Sequence, residues 1–348
     1  MKSIVLVKRT ILEGIMKTTK LFFLLLLFLE LPCNSQTKKV NGLSFVASRD
    51  KIDITHTNAV INAQSNYVAL MPFGFIKELS SPKITHNTNR QWFGETKSGL
   101  LQYAKEFQKN AVNVMVKPQI WVWRGEFTGN IEMDSEEKWT ILENSYSEFI
   151  LTYAKAAQEI NADILCIGTE LEKFVMTRPQ YWQKLIKEIR KIYKGKLTYA
   201  ANWDEFKRVS FWGEIDFIGV DAYFPLSDEK SPTVQELEIG WEPHKNEVIK
   251  IQKKYNKPVL FTEFGYRSVD FNAKKPWESN RVEGNVNLQA QVNGLQAIHN
   301  QFWKEDWFAG GFIWKWFHKH EEVGGENNNR FTPQNKPAEQ LIRKLYKQ

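Results

Sequence analysis

The chain has 348 residues, of which 42% are hydrophobic, 25% charged and 14% aromatic, and this composition excludes disorder as its main state. The formal net charge of +7 falls to +4 when the five basic and two acidic residues of segment 1–35 are set aside. The basic residues that remain are interspersed with acidic ones, as in KLIKEIRKIYKGK, and this pattern favours solvated helix faces over a nucleic-acid-binding surface. Thirteen Trp against six His favour a protein that stacks flat rings such as sugars and argue against a multi-histidine metal centre.

The first predicted element is an export signal. The apolar run LFFLLLLFL at residues 21–29 follows Lys17 and Lys20, and its nine residues are too few for a bilayer span, which needs about 20. We therefore predict a signal peptide at residues 1–35 and a secreted or periplasmic mature chain of residues 36–348 with no membrane span.

Cys33 leaves an alternative open, a lipid anchor that would attach the protein to a membrane, although Pro32 and Glu30 fit a lipoprotein signal poorly. If Cys33 is removed with the signal, only Cys166 remains, so the mature monomer can form no disulfide.

Eight short apolar runs rich in β-branched and aromatic residues then alternate with amphipathic segments such as ENSYSEFILTYAKAAQEIN. This alternation predicts parallel strands, right-handed crossovers and closure into one (β/α)8 TIM barrel, ending in a helix that begins at Pro337. The predicted strands are GLSFVAS, YVALMPF, VNVMVKPQIWVW, ADILCIGTEL, KLTYAANW, IDFIGVDAYF, PVLFTEFGY and GGFIWKWF.

Two carboxylates stand at the ends of predicted strands, where such barrels carry their chemistry. Glu170 ends the fourth strand and Glu263 ends the seventh, and we expect these strands to face each other across the barrel mouth. Two converging glutamates are what glycoside hydrolysis requires, one to protonate the leaving oxygen and one to attack the anomeric carbon. A lone glutamate at a strand end is more often part of a loop salt bridge, so the pair carries the prediction.

Other strand ends supply candidate substrate-binding residues, each with a structural alternative. Tyr223 is placed to donate a hydrogen bond to Glu263, or it is a core tyrosine. Asp221 is placed to bind a sugar hydroxyl or to tether a loop. Lys117 is placed to donate to a sugar hydroxyl or to pair with a carboxylate. Three tryptophans are candidate stacking platforms for sugar rings, or else ordinary packing residues: Trp203, Trp314 and Trp121. Trp121 lies on the same strand face as Trp123.

No cofactor and no metal are predicted. His318 and His320 flank Lys319 without a third ligand, which is more typical of a solvated loop. The sequence contains no GxGxxG, Walker or GxSxG motif, so nucleotide binding and serine hydrolysis lack their usual signals.

The order of GTEL on strand four, FTEFGY on strand seven and a Trp on strand eight resembles the clan of retaining glycosidases and, more narrowly, glycoside hydrolase family 113, a family of β-mannanases. The resemblance extends over nearly the whole mature chain and includes VKPQIWVW, FWGEIDFIGVDAYFPL and RFTPQNKPAEQLI. It implies a retaining double displacement with Glu170 as acid/base and Glu263 as nucleophile, acting on β-1,4-linked mannan or mannooligosaccharides.

One position departs from the pattern of that clan. Many members carry Asn immediately before the acid/base, where it holds the substrate 2-hydroxyl, whereas this chain has Thr169, whose hydroxyl has a shorter reach. The contact then passes to Asn202 or is weaker, and mannose and glucose differ in the orientation of this hydroxyl. Hydrolysis of another β-glycan, and a non-catalytic carbohydrate-binding barrel, therefore stand as alternatives.

Overall fold

A computed structural model describes residues 38–279 and 284–347. Eight parallel strands close into a barrel, and a helix or helix pair follows most of them, so the fold is a (β/α)8 TIM barrel. The barrel strands are β1 (Val40–Phe45), β2 (Tyr67–Leu70), β5 (Asn113–Val116), β7 (Ile164–Thr169), β8 (Lys196–Asn202), β9 (Ile218–Asp221), β10 (Val259–Phe264) and β11 (Phe308–Trp316); three short strands, β3 (Phe73–Ile76), β4 (Thr85–His86) and β6 (Gln119–Val122), form a second sheet.

The helices begin where the sequence offers capping groups. Ser135 and Thr233 accept hydrogen bonds from the third backbone N–H of the helices that follow them, and Pro337 occupies the first turn of the last helix, as predicted. The helices are α1 (Ile54–Asn62), α2 (Lys97–Gln108), α3 (Glu136–Glu159), α4 (Glu172–Thr177), α5 (Pro179–Ile192), α6 (Val234–Tyr255), α7 (Leu288–Phe302) and α8 (Pro337–Tyr346).

Around the ring the strand order is β1, β2, β5, β7, β8, β9, β10, β11, and β1 closes the ring by pairing with β11. The fourth and seventh barrel strands, β7 and β10, are therefore separated by β8 and β9. The strand directly opposite β10 is β5, a correction to the expectation that strands four and seven face each other.

The second sheet arises where two neighbouring barrel strands are interrupted by proline. Pro72 separates β2 from β3, and Pro118 separates β5 from β6, since a residue without a backbone N–H cannot donate to the ladder. After these breaks β3 and β6 pair with each other outside the barrel, and β4 pairs antiparallel with β3. The segment VNVMVKPQIWVW, predicted as one strand, is thus two strands in two sheets.

Apolar side chains fill the barrel interior in a small cluster that draws on seven of the eight strands, including Met115, Cys166 and Leu260. A larger cluster lies between the strands and the surrounding helices. Because side chains alternate along a strand, Lys117 lies on the same face as Met115, directly above this filling. The position of a lysine at the floor of the barrel mouth follows from that alternation.

The predicted signal peptide at residues 1–35, with Cys33, lies outside the described residues. Within residues 38–279 and 284–347, no helix is long and apolar enough to cross a bilayer.

Candidate active site

A cavity of about 820 Å³ opens at the carboxyl ends of the barrel strands. Both predicted carboxylates, Glu170 and Glu263, line it, which brings together the ends of β7 and β10 as the sequence predicts. Its polar and aromatic walls include Gln119, Trp121, Phe127, Thr128, Thr169, Asn202, Trp203, Tyr223, Trp277, Trp314 and Lys315.

Glu263 is nearly buried and is held by three donors. Oε1 accepts hydrogen bonds from Lys117 Nζ at 2.5 Å and Gln119 Nε2 at 3.0 Å, and Oε2 accepts one from the Tyr223 hydroxyl at 3.0 Å. The predicted hydrogen bond between Tyr223 and Glu263 is therefore present. A carboxylate offers about four lone-pair sites, so this set leaves about one free to face the cavity.

Lys117 and Asp221 lie beneath the cavity and not on its wall. Both are fully buried, and Lys117 Nζ lies 3.2 and 3.3 Å from the two carboxylate oxygens of Asp221 in addition to its contact with Glu263. Burial lowers the pKa of Lys117, but the two carboxylates outweigh burial and raise it above its ordinary value. Of the two alternatives for Lys117, the structure shows the pair with a carboxylate. The predicted sugar contact of Asp221 is corrected, because this buried side chain belongs to the ion-pair network under Glu263.

Asp221 also accepts a hydrogen bond from the Thr262 hydroxyl, at 2.7 Å. Burial and the adjacent charge of Glu263 raise the pKa of Asp221 to about 7. One buried cation therefore holds two carboxylates, and one of them, Asp221, has a pKa near neutral pH.

Glu170 has a different environment from Glu263. Within the described part of the chain its carboxyl makes no hydrogen bond, and burial together with the charges of Asp221 and Glu263 raises its pKa well above the ordinary value. A carboxyl with a raised pKa retains its proton and can donate it. The two carboxyls of the cavity therefore differ, since Glu263 accepts three hydrogen bonds and Glu170 has a raised pKa.

The backbone at Glu170 is also unusual, with φ at +51°, in the left-handed region that side chains other than glycine rarely occupy. Its N–H donates to Ala200 O at 2.8 Å, and its carbonyl accepts from the Thr128 hydroxyl at 3.0 Å. The turn at the end of β7 is therefore fixed by contacts with the neighbouring strand and with the loop after β6.

Asn202 and Trp203, from the end of β8, both line the cavity. Asn202 Oδ1 accepts from the Trp203 N–H at 2.8 Å, and its amide nitrogen has no partner among the described residues, so it is free to donate into the cavity. Trp203 stacks on Trp277, with ring centroids 5.4 Å apart and planes inclined by 16°. One face of Trp203 is thus covered, and Trp277, absent from the sequence prediction, presents an exposed ring beside it.

Thr169 lines the cavity, but its hydroxyl oxygen is buried and has no hydrogen-bond partner in the described chain. Because this oxygen is buried, the Thr169 hydroxyl is not exposed to the cavity. Asn202, from the neighbouring strand β8, lines the cavity with an amide nitrogen that has no partner among the described residues.

The wall formed by β11 carries Trp314 and Lys315, which a cis peptide bond joins. Lys315 lies over the rings of Trp314 and Phe317 at 5.2 and 5.4 Å, and its ammonium has no ion pair among the described residues. Burial lowers its pKa. Lys315 was not among the residues predicted from the sequence, although its place one residue after Trp314 at a strand end was a usable signal.

On the wall formed by the small sheet, Trp121 of β6 faces the cavity and is 40% exposed, whereas Val122 is buried, as the alternation of the strand predicts. Trp123 is exposed but does not line the cavity. Gln119 and Phe127, from the same segment, also line it and were not predicted.

Within the part of the chain that the structure describes, no group of three His, Cys, Asp or Glu side chains is placed to hold a metal ion. His318 instead lies 3.3 Å from Asp50 and stacks on His56. These contacts belong to the surface around β11 and not to the cavity.

Comparison with known proteins identifies one family. The family model described as Glycoside Hydrolase Family 113 matches residues 49–336. No curated protein sequence matches the chain.

Solved structures with the same fold include the GH113 β-mannanase AaManA from Alicyclobacillus acidocaldarius, with 23% identity, a TM-score of 0.78, and coverage of 89% of this chain and 97% of that one. A GH113 β-1,4-mannanase has 21% identity and a TM-score of 0.77 over 89% and 99% of the two chains. A β-glucuronidase from Ruminococcus gnavus is similar at a TM-score of 0.56 and 11% identity, over 84% of this chain and 46% of its own.

Proposed function

The chain belongs to glycoside hydrolase family 113, and on that premise we propose that it cleaves β-1,4-linked mannan or mannooligosaccharides by a retaining double displacement. The observation that carries the mechanism is the pair of carboxyls in one cavity, Glu263 held by three donors and Glu170 with a raised pKa. The names of the similar mannanase structures support mannan as substrate.

In the first step Glu263 attacks the anomeric carbon through its free lone pair, and the bond from that carbon to the leaving oxygen breaks as Glu170 gives its proton to that oxygen. The product is an ester between the sugar and Glu263. In the second step a water molecule attacks the same carbon, Glu170 takes its proton, and Glu263 departs as the carboxylate. Inversion occurs twice, so the product keeps the β configuration.

The surrounding residues support the pair in separate ways. Lys117, Gln119 and Tyr223 stabilise the charge of Glu263 before attack and after departure. The free amide nitrogen of Asn202 is the proposed donor to the substrate 2-hydroxyl. Trp277, Trp314 and Trp121 present apolar faces to sugar rings, and Lys315 donates to sugar oxygens.

The decisive experiment measures reducing-sugar release from mannan, glucomannan, xylan and mixed-linkage glucan by the chain from residue 36 onward, with the Glu170→Gln and Glu263→Gln variants. We expect release from mannan that falls by several orders of magnitude in both variants. Glu172→Gln is the matched control, because this carboxylate lies two residues from Glu170 but pairs with Arg208 outside the cavity. Activity on another glycan would redirect the substrate assignment and leave the pair intact.

The retaining mechanism has its own readout, the configuration of the newly formed anomeric centre. Proton NMR during the first minutes of hydrolysis should show the β-anomer first and the α-anomer only after mutarotation. Initial formation of the α-anomer would mean a single displacement, and Glu263 would then be a base.

Export remains a proposal that rests on the run at residues 21–29 with Lys17 and Lys20, and it suits an enzyme whose polymeric substrate cannot cross a membrane. Expression of the full chain in a bacterial host, followed by N-terminal mass analysis, should show a mature chain that begins after Ser35. Partition into a detergent phase that Cys33→Ser abolishes would instead establish the lipid anchor.

A further inference from the structure

The peptide that follows Glu170 is held from behind by two buried side chains that line no part of the cavity. The Leu171 N–H donates to the Tyr199 hydroxyl at 2.7 Å, and that hydroxyl donates to Glu205 Oε1 at 2.6 Å. Tyr199 and Glu205 are 0% and 1% exposed, so neither side chain can contact substrate. The chain of bonds runs from the backbone beside Glu170 to a buried carboxyl.

The second oxygen of that carboxyl reaches another cavity residue. Glu205 Oε2 accepts from the Asn202 N–H at 2.9 Å, so one carboxyl fixes the backbone at the end of β8 and, through Tyr199, the backbone after β7. Glu205 lies in the turn that follows β8, where its own N–H donates to Asn202 O at 3.0 Å. The two strand ends that present Glu170 and Asn202 are thereby tied together.

Glu170 needs such support because its φ of +51° lies in the left-handed region, a strained conformation for a residue with a side chain. In that conformation the Leu171 N–H points back toward β8, and in this buried place it requires an acceptor. The Tyr199 hydroxyl is that acceptor. Without it the turn can relax, and the Glu170 carboxyl changes its direction.

We propose that Tyr199 and Glu205 are positioning residues for Glu170, which lock the left-handed turn at the end of β7 and so aim the Glu170 carboxyl at the leaving-group oxygen. This inference rests on the proposed role of Glu170 as acid. A general acid contributes about 10²- to 10⁴-fold to a rate, and a displacement of about 1 Å costs about 100-fold. Loss of this support should therefore lower the rate only for substrates whose leaving group must receive a proton.

The test compares kcat/KM, which reports the first displacement, on mannopentaose and on a β-mannobioside of 2,4-dinitrophenol, whose leaving group departs without a proton. For Tyr199→Phe we expect a loss on the order of 10- to 100-fold on mannopentaose and less than about 3-fold on the aryl glycoside. Glu205→Gln keeps one acceptor oxygen and should show a smaller loss with the same preference, which covers the case in which Tyr199→Phe does not fold.

Tyr193→Phe is the matched control. Its hydroxyl is equally buried and donates to Ala162 O at 2.6 Å, near the opposite end of β7. We expect equal, small changes on the two substrates for this variant.

The Glu170→Gln variant distinguishes a failure of the positioning role from a failure of the assignment of Glu170 as the acid. If Glu170→Gln shows the leaving-group dependence and Tyr199→Phe and Glu205→Gln lose activity equally on both substrates, the two residues are merely structural and the inference is overturned. If Glu170→Gln itself shows no such dependence, the assignment of the acid fails and the positioning role falls with it.

Discussion

Glu205 makes the stability of the fold depend on pH in a direction that can be calculated. Burial raises the pKa of its carboxyl from 4.5 to about 8. Between these pH values the unfolded chain has released the proton and the folded chain keeps it, so stability falls by up to about 1.4 kcal/mol for each pH unit gained. From pH 5.5 to pH 7.5 this contribution amounts to about 2.5 kcal/mol, because the folded chain begins to release the proton near pH 7.5. Glu205→Gln removes the titrating group and should remove this loss.

The assay is urea unfolding followed by Trp fluorescence at pH 5.5, 6.5 and 7.5. Relative to the parent chain, the free energy of unfolding of Glu205→Gln should rise by about 2.5 kcal/mol across this range, because the other titrating groups, Asp221 among them, are common to both proteins and cancel. Tyr193→Phe, whose hydroxyl has a pKa raised far above this range, should shift stability equally at every pH. Parallel curves for Glu205→Gln and the parent would refute the reasoning.

Three further predictions concern the cavity. Lys117→Met leaves Glu263 and Asp221 buried without their cation, so the free energy of unfolding should fall by about 3 to 5 kcal/mol at pH 7. At pH 5 the loss should be smaller, because Asp221, whose pKa is about 7 with Lys117 in place, is then protonated in the parent chain as well and has no charge for Lys117 to neutralise. Tyr223→Phe removes a hydrogen bond to a charged group, worth about 1.5 to 3 kcal/mol, and should lower kcat/KM on mannopentaose roughly 10- to 100-fold with the fold intact. Lys315→Met should raise KM on the order of 10-fold and change kcat less, since it removes a donor on the cavity wall.

Each of the predictions for Lys117, Tyr223 and Lys315 would be contradicted by a specific measurement. An equal loss of stability at pH 5 and pH 7 would exclude proton uptake by Asp221 in Lys117→Met. A change in kcat/KM below about 3-fold would mean that the Tyr223 hydroxyl does little for Glu263. For Lys315, the exposed Lys319 offers a control, and equal KM values in Lys315→Met and Lys319→Met would remove Lys315 from the binding site.

The barrel and its two glutamates could be predicted from the sequence because both depend on local patterns. Strand periodicity places Glu170 and Glu263 at strand ends, and the closure of the barrel brings those ends together. The small sheet was not predicted because its signal is a pair of prolines, Pro72 and Pro118, each of which reads alone as an ordinary break. That two broken strands then pair with each other depends on their being neighbours in the ring.

The residues behind the site are harder to predict because their roles depend on distance in space. Lys117 is as compatible with a sugar hydroxyl as with a carboxylate until Asp221, 104 positions away, is placed beside it. Tyr199 and Glu205 have the appearance of a core tyrosine and a turn carboxylate. Only the backbone conformation of Glu170 shows what they hold, and no pattern in the sequence predicts a left-handed glutamate.

The small sheet of β3, β4 and β6 also bears on how the enzyme can change its substrate range. It is built on the two loops that leave β2 and β5, so its length and aromatic surface, including Trp121, can vary through insertion or exchange without altering the barrel. Gln119 of β6 is the position in this sheet that cannot vary freely, because its side chain donates a hydrogen bond to Glu263. A loop graft that preserves Gln119 can therefore change the aromatic surface and keep all three donors to Glu263, whereas one that shifts β6 by a single residue replaces this donor and weakens the support of Glu263.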